Sequence, residues 1–329
     1  MIFHPKTFFA AIASILSMAA SPSWAADLGQ IPNEYEATSG YGIGMNNAGF
    51  AANEPHTAVR ANPALLPSTK DYSIAAGYHW PTTGREFFQA SVVDAKTSPI
   101  AAGLTYTGYM DDYLDPTEVR SAPRYDSPII RRGSIGAGQN FGSMSAGIGA
   151  TYVEAHPTSS SEAALRGDTR VKGIGLNLGL AMPWTPSLTF GASVENATNK
   201  KIADYAPKTY RAGAAYSFNK NVSGYLDFRQ RDRVAEFEST APVDINATNE
   251  PEKLDPEQMV LASVAAKVQD FLRLMGSYGQ AIGDDRRSLA GGVSIMNRSF
   301  SLSYTASRPY VQNNSAAHQA VSLSLAVAM

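Results

Sequence analysis

The chain has 329 residues, with 27 Lys and Arg against 29 Asp and Glu, five histidines and no cysteine. Lack of cysteine excludes a disulfide framework, a thiolate metal site and a lipid-modified N-terminal cysteine. Near-neutral charge gives no electrostatic basis for nucleic-acid binding, and five scattered histidines predict no metal site and no other cofactor.

Residues 1–25 read as a secretory signal peptide: Lys6 precedes the apolar run Thr7 to Ala20, and Ser23-Trp24-Ala25 supplies a small-x-small cleavage pattern. Its removal takes away one lysine and no acid, moving the formal charge from −2 to about −3. No later segment has the roughly 18 uninterrupted apolar residues of a membrane helix. Residues 26–70 carry no strong strand pattern, yet they end in "RANPALLPS", Arg60 to Ser68, where Ala61, Ala64, Leu65 and Leu66 sit around two prolines. A connection that carries a buried-looking apolar anchor needs something to be buried in.

From residue 71 to 329 the pattern is alternation of period two, which marks β-strands. The expected strands are 71–80, 86–94, 99–109, 129–139, 143–154, 169–182, 187–196, 208–218, 221–229, 258–268, 271–280, 287–296, 298–306 and 318–329. The last, "AVSLSLAVAM", is the clearest: Val321, Leu323, Leu325, Val327 and Met329 share one face, and Ser322, Ser324, Ala326 and Ala328 the other. Segments of about 9 to 11 residues suit a tilted membrane strand, whereas strands of soluble sheets commonly have about 5 to 6. Connections after even-numbered strands are tight ("NFG", "PWTP", "NK", "QD", "N"); those after odd-numbered strands include the long Met110 to Pro128, Ala155 to Thr169 and Gln230 to Glu257. Short periplasmic turns, long extracellular loops and an even strand count define an outer-membrane barrel. The predicted fold class is therefore all-β: a transmembrane antiparallel barrel of about 14 strands over 71–329, with lipid as its outer partner, in the outer membrane of a Gram-negative bacterium.

The same register places aromatics at both rims: Trp80, Tyr106, Tyr152, Tyr210, Phe228, Tyr278 and Tyr304 at one, and Tyr72, Trp184, Phe218, Phe271 and Phe300 at the other. Small residues point inward, among them Gly147, Gly149, Gly173, Gly175, Gly179, Gly191, Gly213, Ser301 and Ser303. Such a lumen stays open unless another part of the chain fills it, so 26–70 is expected to fold inward as a plug anchored by Leu65 and Leu66. Among charges, Glu195, Arg211, Asp227 and Arg229 alternate inward at similar heights, forming either a structural ladder or a selectivity ring. Lys267 and Arg273 flank the turn Gln269-Asp270; the segment before the first strand carries Asp27, Glu34, Glu36 and Glu54, and one of these glutamates is expected to latch the pair.

Catalytic signals are weak. "GYGIGMNNAG" follows no strand and precedes no lysine-bearing helix, "DINATNE" lacks the spacing of a calcium loop, and no His-Glu-x-x-His or Gly-x-Ser-x-Gly occurs. His79 is a lone imidazole with no placed serine or carboxylate. No catalytic residue is assigned.

"TSGYGIGMNNAGFAANEPHTAVRANPALLP", Thr38 to Pro67, resembles the N-terminal hatch of the FadL family of outer-membrane hydrocarbon and fatty-acid channels. The matching elements are Ser39, Gly40 and Gly42, then Asn62, Pro63 and Ala64, with Leu65 and Leu66 following. The resemblance implies passive uptake of a small apolar or amphipathic ligand. The Asn-Pro-Ala signature is also similar to that of PorV-like and TraF-like barrels, which implies, as the alternative, an accessory barrel that binds a protein partner in secretion or conjugation. The chain departs from FadL proteins in being shorter and in its acidic, proline-rich loop Met110 to Pro128, where the family offers an apolar capture groove.

Overall fold

The computed structural model describes residues 45, 48, 51, 55–81, 87–109, 129–156, 170–198, 202–203, 206–232, 256–283, 287–297, 300–310 and 318–328. The expected signal peptide, Ser39, Gly40 and Gly42, the candidate latch glutamates Glu34, Glu36 and Glu54, and the loop carrying "DINATNE" lie outside the described residues, as do the side chains of His79, Trp80, Phe300 and the last strand from Ser322 onward.

Fourteen strands close into one antiparallel barrel in which each pairs with its neighbours in sequence and the first pairs with the last. They are β1 (Tyr72–Pro81), β2 (Phe87–Asp94), β3 (Ile100–Tyr109), β4 (Ile129–Phe141), β5 (Met144–His156), β6 (Val171–Thr185), β7 (Leu188–Glu195), β8 (Thr209–Asn219), β9 (Val222–Arg231), β10 (Glu257–Gln269), β11 (Leu272–Ala281), β12 (Arg287–Met296), β13 (Phe300–Tyr310) and β14 (His318–Ala328). Each falls on its expected segment. One boundary is corrected in a way that matters: Glu257, expected in the loop, opens β10 and is buried. A carboxylate at a segment edge reads as solvated, but this one points into the lumen toward arginines of β9.

Closure removes the unpaired sheet edges that an open sheet would expose. The register shifts lie at the turn end, between Pro183 and Thr185, Ser217 and Asn219, and Lys267 and Gln269. There the strands bend into their two-residue connections, the usual setting for bulges.

β6 shows the two faces most clearly. Gly175, Asn177, Gly179 and Ala181 are buried, while Ile174, Leu176, Leu178 and Leu180 between them are exposed, Ile174 by 61%. Leu104, Ile135 and Ile148 continue this apolar surface on β3, β4 and β5. A monomeric soluble protein rarely exposes so large a contiguous apolar area; for a barrel wall it is the lipid face. Exposed Tyr152, Tyr210, Tyr278 and Tyr304 edge this band on the loop side and Trp184, Phe218 and Phe271 on the turn side. Tyr278 donates to Gln280 Oε1 at 2.8 Å, and the Lys208 ammonium stands 4.8 Å from the Tyr210 ring centre. Rings with one apolar and one polar side suit headgroup depth.

Ile148 and Leu178 are register partners near the middle of this band. Ile148→Arg is expected to cost about 2 to 4 kcal/mol of barrel stability, the cost of a midplane arginine on the lipid face. The urea midpoint of folding into vesicles, read by gel mobility, checks it; a midpoint equal to wild type would mean that this face does not meet lipid.

Ahead of β1 runs a short helix, α1 (Pro55–Ala61), and a 3-10 helix (Pro63–Ser68), joined at Asn62. Lys70, with φ of 57°, turns the chain into β1. Neither helix is long enough to stand alone in water. Both lie inside the barrel, and their stability comes from the wall.

Candidate plug seat and lumen

Two rows of glycine cross the inner wall. Gly103, Gly136 and Gly149 are successive register partners on β3, β4 and β5; Gly138, Gly147 and Gly179 form the second row on β4, β5 and β6. The inner segment rests directly on this bare backbone. A Cβ on Gly136 would run into the carbonyl oxygen of Val59, one on Gly138 into that of Pro63, and one on Gly147 into the amide nitrogen of Ala64. Small inward residues leave room for a segment folded inward, and the glycine rows are the surface on which it rests. Pro63 cannot donate an N–H to the Val59 carbonyl four residues earlier, and that carbonyl abuts Gly136.

Asn62 joins the two helices and fixes them. Fully buried, it receives the 3-10 helix's first backbone bond, with Leu65 N donating to its carbonyl at 3.0 Å. Its side-chain amide donates to the Leu180 carbonyl on β6 at 3.2 Å. The side-chain oxygen occupies the place a Cβ of Gly179 would take, so glycine there is required for the asparagine to reach the strand. Leu65 and Leu66 are buried with Ala58, Val59 and Ala64 against Val93, Ala101 and Ala181 of the wall. Each leucine so buried contributes about 1.5 to 3 kcal/mol. Ser68 and Thr69 close the 3-10 helix by donating to the carbonyls of Leu65 and Leu66 at 2.6 and 2.9 Å.

Earlier residues of the segment reach the opposite wall. Ala48 packs with Met259, Leu261 and Ala281, and Met45 with Ala265 and Met275 beside Tyr225. The described segment thus touches both β2–β6 and β10–β11.

The inward charges meet as two connected groups. Arg211 Nε lies 2.9 Å from Glu195 Oε1, both side chains 4% exposed, and Arg60 of α1 approaches Glu195 Oε2 at 3.8 Å. Across the ladder Arg211 faces Arg229, its direct register partner. Glu257 Oε2 lies 3.9 Å from Arg229 and 2.7 Å from Arg231, while Arg229 also reaches Met259 Sδ at 2.9 Å. Asp227, buried one inward position nearer the turn than Arg229, sets its Oδ1 over Gly213. The sequence reading grouped Glu195, Arg211, Asp227 and Arg229, and these are neighbours; it missed Arg60, Arg231 and Glu257. Arg60 was inside the very stretch singled out, but its partner is far along the chain, on β7.

A second polar chain crosses β4 to β7. Ser134 and Thr151 share a 3.0 Å hydroxyl bond, Asn177 donates to Thr151 at 2.8 Å, and Asn196 N donates to Asn177 Oδ1 at 2.9 Å. Ile202, fully buried, covers Gly173 from the connection that follows β7. His56 meets the Ser91 hydroxyl at 2.7 Å, tying the start of α1 to β2.

Below the 3-10 helix, toward the turns, a cavity of about 780 Å³ opens. Lys267 and Arg273 border it and are direct register partners. The Lys267 ammonium lies 2.9 Å from Asp270, whose carboxyl it holds below the usual carboxylate range. Among the described residues an ion pair between Arg60 and Glu195 ties the inner segment to the wall, with the cation on the segment and the acid on the wall.

No protein-family model matches the chain, and no curated protein sequence matches it. Solved structures do. The chain is similar to the CymD monoaromatic hydrocarbon channel, with a TM-score of 0.66 over 89% of this chain and 98% of that one at 14% identity. It is similar to the toluene transporter TbuX of Ralstonia pickettii, with a TM-score of 0.60, 15% identity and coverage of 89% and 98%. A FadL homologue of Pseudomonas aeruginosa gives a TM-score of 0.55, 12% identity and coverage of 88% and 98%. The protein is a transmembrane β-barrel, and its fold is the one these channels share.

Proposed function

We propose that the protein is an outer-membrane channel for passive uptake of small hydrophobic or amphipathic molecules, with residues 26–70 as its plug. The observation that carries this reading is the seat. Two glycine rows, an asparagine hook and one buried ion pair hold a short internal segment against a wall whose outer face is apolar. Contact by close approach and few bonds holds a segment in one place while leaving the wall's own hydrogen-bond ladder intact when the segment shifts. Likeness to hydrocarbon and toluene channels supports the same reading. No residue has a chemical step to perform: the solute enters at the loop side, passes the displaced plug and leaves along its gradient.

In whole cells, where the lipopolysaccharide leaflet of the outer membrane slows apolar solutes, producing the full chain is expected to speed toluene uptake relative to cells that lack it. Uptake equal in the two would overturn the channel reading and favour the accessory-barrel alternative.

A further inference from the structure

The outer wall of β4 to β6 carries charge at its loop-side rim. Glu154 lies one outward position beyond Tyr152, and its register partners are Arg131 on β4 and Lys172 on β6. Arg170, just ahead of β6, brings its Nε to 3.1 Å from the Glu154 carboxylate, and the Lys172 ammonium lies 3.9 Å from it. Tyr152 donates its hydroxyl to the same carboxylate at 3.4 Å. The acid is covered, its side chain 12% exposed, while those of Arg170 and Lys172 are 49% and 48% exposed. On the wall of β9 to β11 the corresponding positions are neutral: Gln258 donates to Gln230 at 3.2 Å, and Gln280, two residues beyond Tyr278 as Glu154 is beyond Tyr152, accepts that tyrosine's hydroxyl. Uncharged polar side chains therefore suffice at this depth. Exposed ion pairs add little stability, so the strength of the wall does not account for the charges on β5 and β6.

Beneath the charged row the wall is apolar and uneven. Gly133, Tyr152 and Ile174 form the next row, Ile135, Ala150 and Leu176 the one after, and Ala137, Ile148 and Leu178 the third. Ile135, Ile148 and Ile174 are exposed, whereas a Cβ on Gly133 would meet nothing within 4 Å. The short positions Gly133, Ala150 and Ala137 thus leave a furrow on the lipid side that descends from the charges toward the middle of the band. We infer that this rim and furrow bind a phosphorylated glycolipid of the outer leaflet, lipopolysaccharide, with its phosphates on Arg170 and Lys172 and an acyl chain in the furrow. The inference rests on the barrel's place in the outer membrane and not on what crosses its lumen. The long loops mark this rim as the extracellular one. Guanidinium and ammonium groups bind phosphate through charge-assisted bonds stronger than neutral ones, and their stems lie along apolar surface while the heads stay at headgroup depth. Glu154 offers one negative charge to both cations and sets their heads side by side.

The test incubates the full chain, in micelles of an uncharged detergent, with diphosphoryl lipid A or with its dephosphorylated counterpart, and native mass spectrometry reads the fraction of barrels that keep a lipid. Wild type is expected to bind the diphosphoryl form at least about tenfold more tightly, the effect of one charge-assisted bond. Arg170→Gln with Lys172→Gln should remove that preference. Lys208→Gln should keep it, since this cation stands over Tyr210 just ahead of β8, away from the furrow. Unchanged mobility shift on heating shows that each variant retains its barrel. Equal retention of the two lipids by wild type, an unaltered preference in the double variant, or an equal loss in Lys208→Gln would each overturn the site. So would displacement of lipid A by an equal concentration of inorganic phosphate, because the acyl chains would then add nothing. None of these readouts depends on toluene crossing the lumen, so the site and the channel reading fail separately.

Discussion

Glu195→Ala is expected to loosen the plug more than any other single change in the charge network. Arg60 of α1 and Arg211 of β8 share the Glu195 carboxylate, at 3.8 and 2.9 Å. Removing it leaves two guanidinium groups with a common counter-ion gone, in a place where they are almost fully buried. Breaking a buried pair on one side costs about 3 to 5 kcal/mol, since the remaining charge is uncompensated. The wall has a continuous backbone ladder with which to absorb this, from β7 to β8 and β8 to β9; the segment has a few contacts. Expected results are higher single-channel conductance in planar bilayers and faster proteolysis ahead of β1, with heat-modifiability on gels retained. Arg60→Met removes the tether but leaves Glu195 with Arg211, so its effect should be in the same direction and smaller. Wild-type conductance and cleavage in Glu195→Ala would show that the ion pair does not hold the plug.

The second large effect is steric. In Gly138→Ala with Gly147→Ala, each new Cβ collides with backbone atoms of the inner segment, the Pro63 carbonyl and the Ala64 amide, and not with the end of a flexible side chain that could swing away. Overpacking costs about 1 to 3 kcal/mol per site, and here two adjacent sites push on the same residues. The segment must lift, carrying Leu65 and Leu66 off the wall. Conductance should again rise and the segment should become protease-sensitive. Gly133→Ala and Gly276→Ala, where a Cβ would meet nothing within 4 Å, should behave as wild type. If the paired glycines tolerate alanine as well as Gly133 does, close approach is not what seats the segment.

These two experiments address features of unequal visibility in the sequence. All fourteen strands were legible, because lipid outside and a narrow interior impose opposite demands on alternate residues, and a strand such as β6 writes that demand along its whole length. The charged row was half legible: Glu195, Arg211 and Arg229 betray themselves by alternating with apolar residues. Glu257 did not, since at the edge of a polar loop an inward carboxylate looks like a solvated one. α1 was not legible. "PHTAVRA" is too short for a helical repeat to show, and its helicity is imposed by the wall. Which glycines form the seat was not legible for a related reason. Smallness is visible in one dimension; whether it leaves a void or admits a neighbouring backbone depends on what crosses it, more than 70 residues earlier in the case of Gly147 and Pro63, a number set by their positions in the chain.

That separation also bears on how the molecule is made. The segment that packs inside the barrel emerges before any strand, yet Asn62 finds its carbonyl on β6, 118 residues later. Long-range closure is slow and entropically costly, so the segment cannot be the nucleus around which the wall forms. It must wait, unseated, until β3 to β6 have paired, and it must already be on the concave side when β14 meets β1. Seating of Asn62 is therefore a report on assembly: a chain that closes its seam with the segment outside is a finished cylinder with a lost inner part, indistinguishable by strand content and separable by protease. A quality-control step that reads the exposed N-terminal segment would find only such failures.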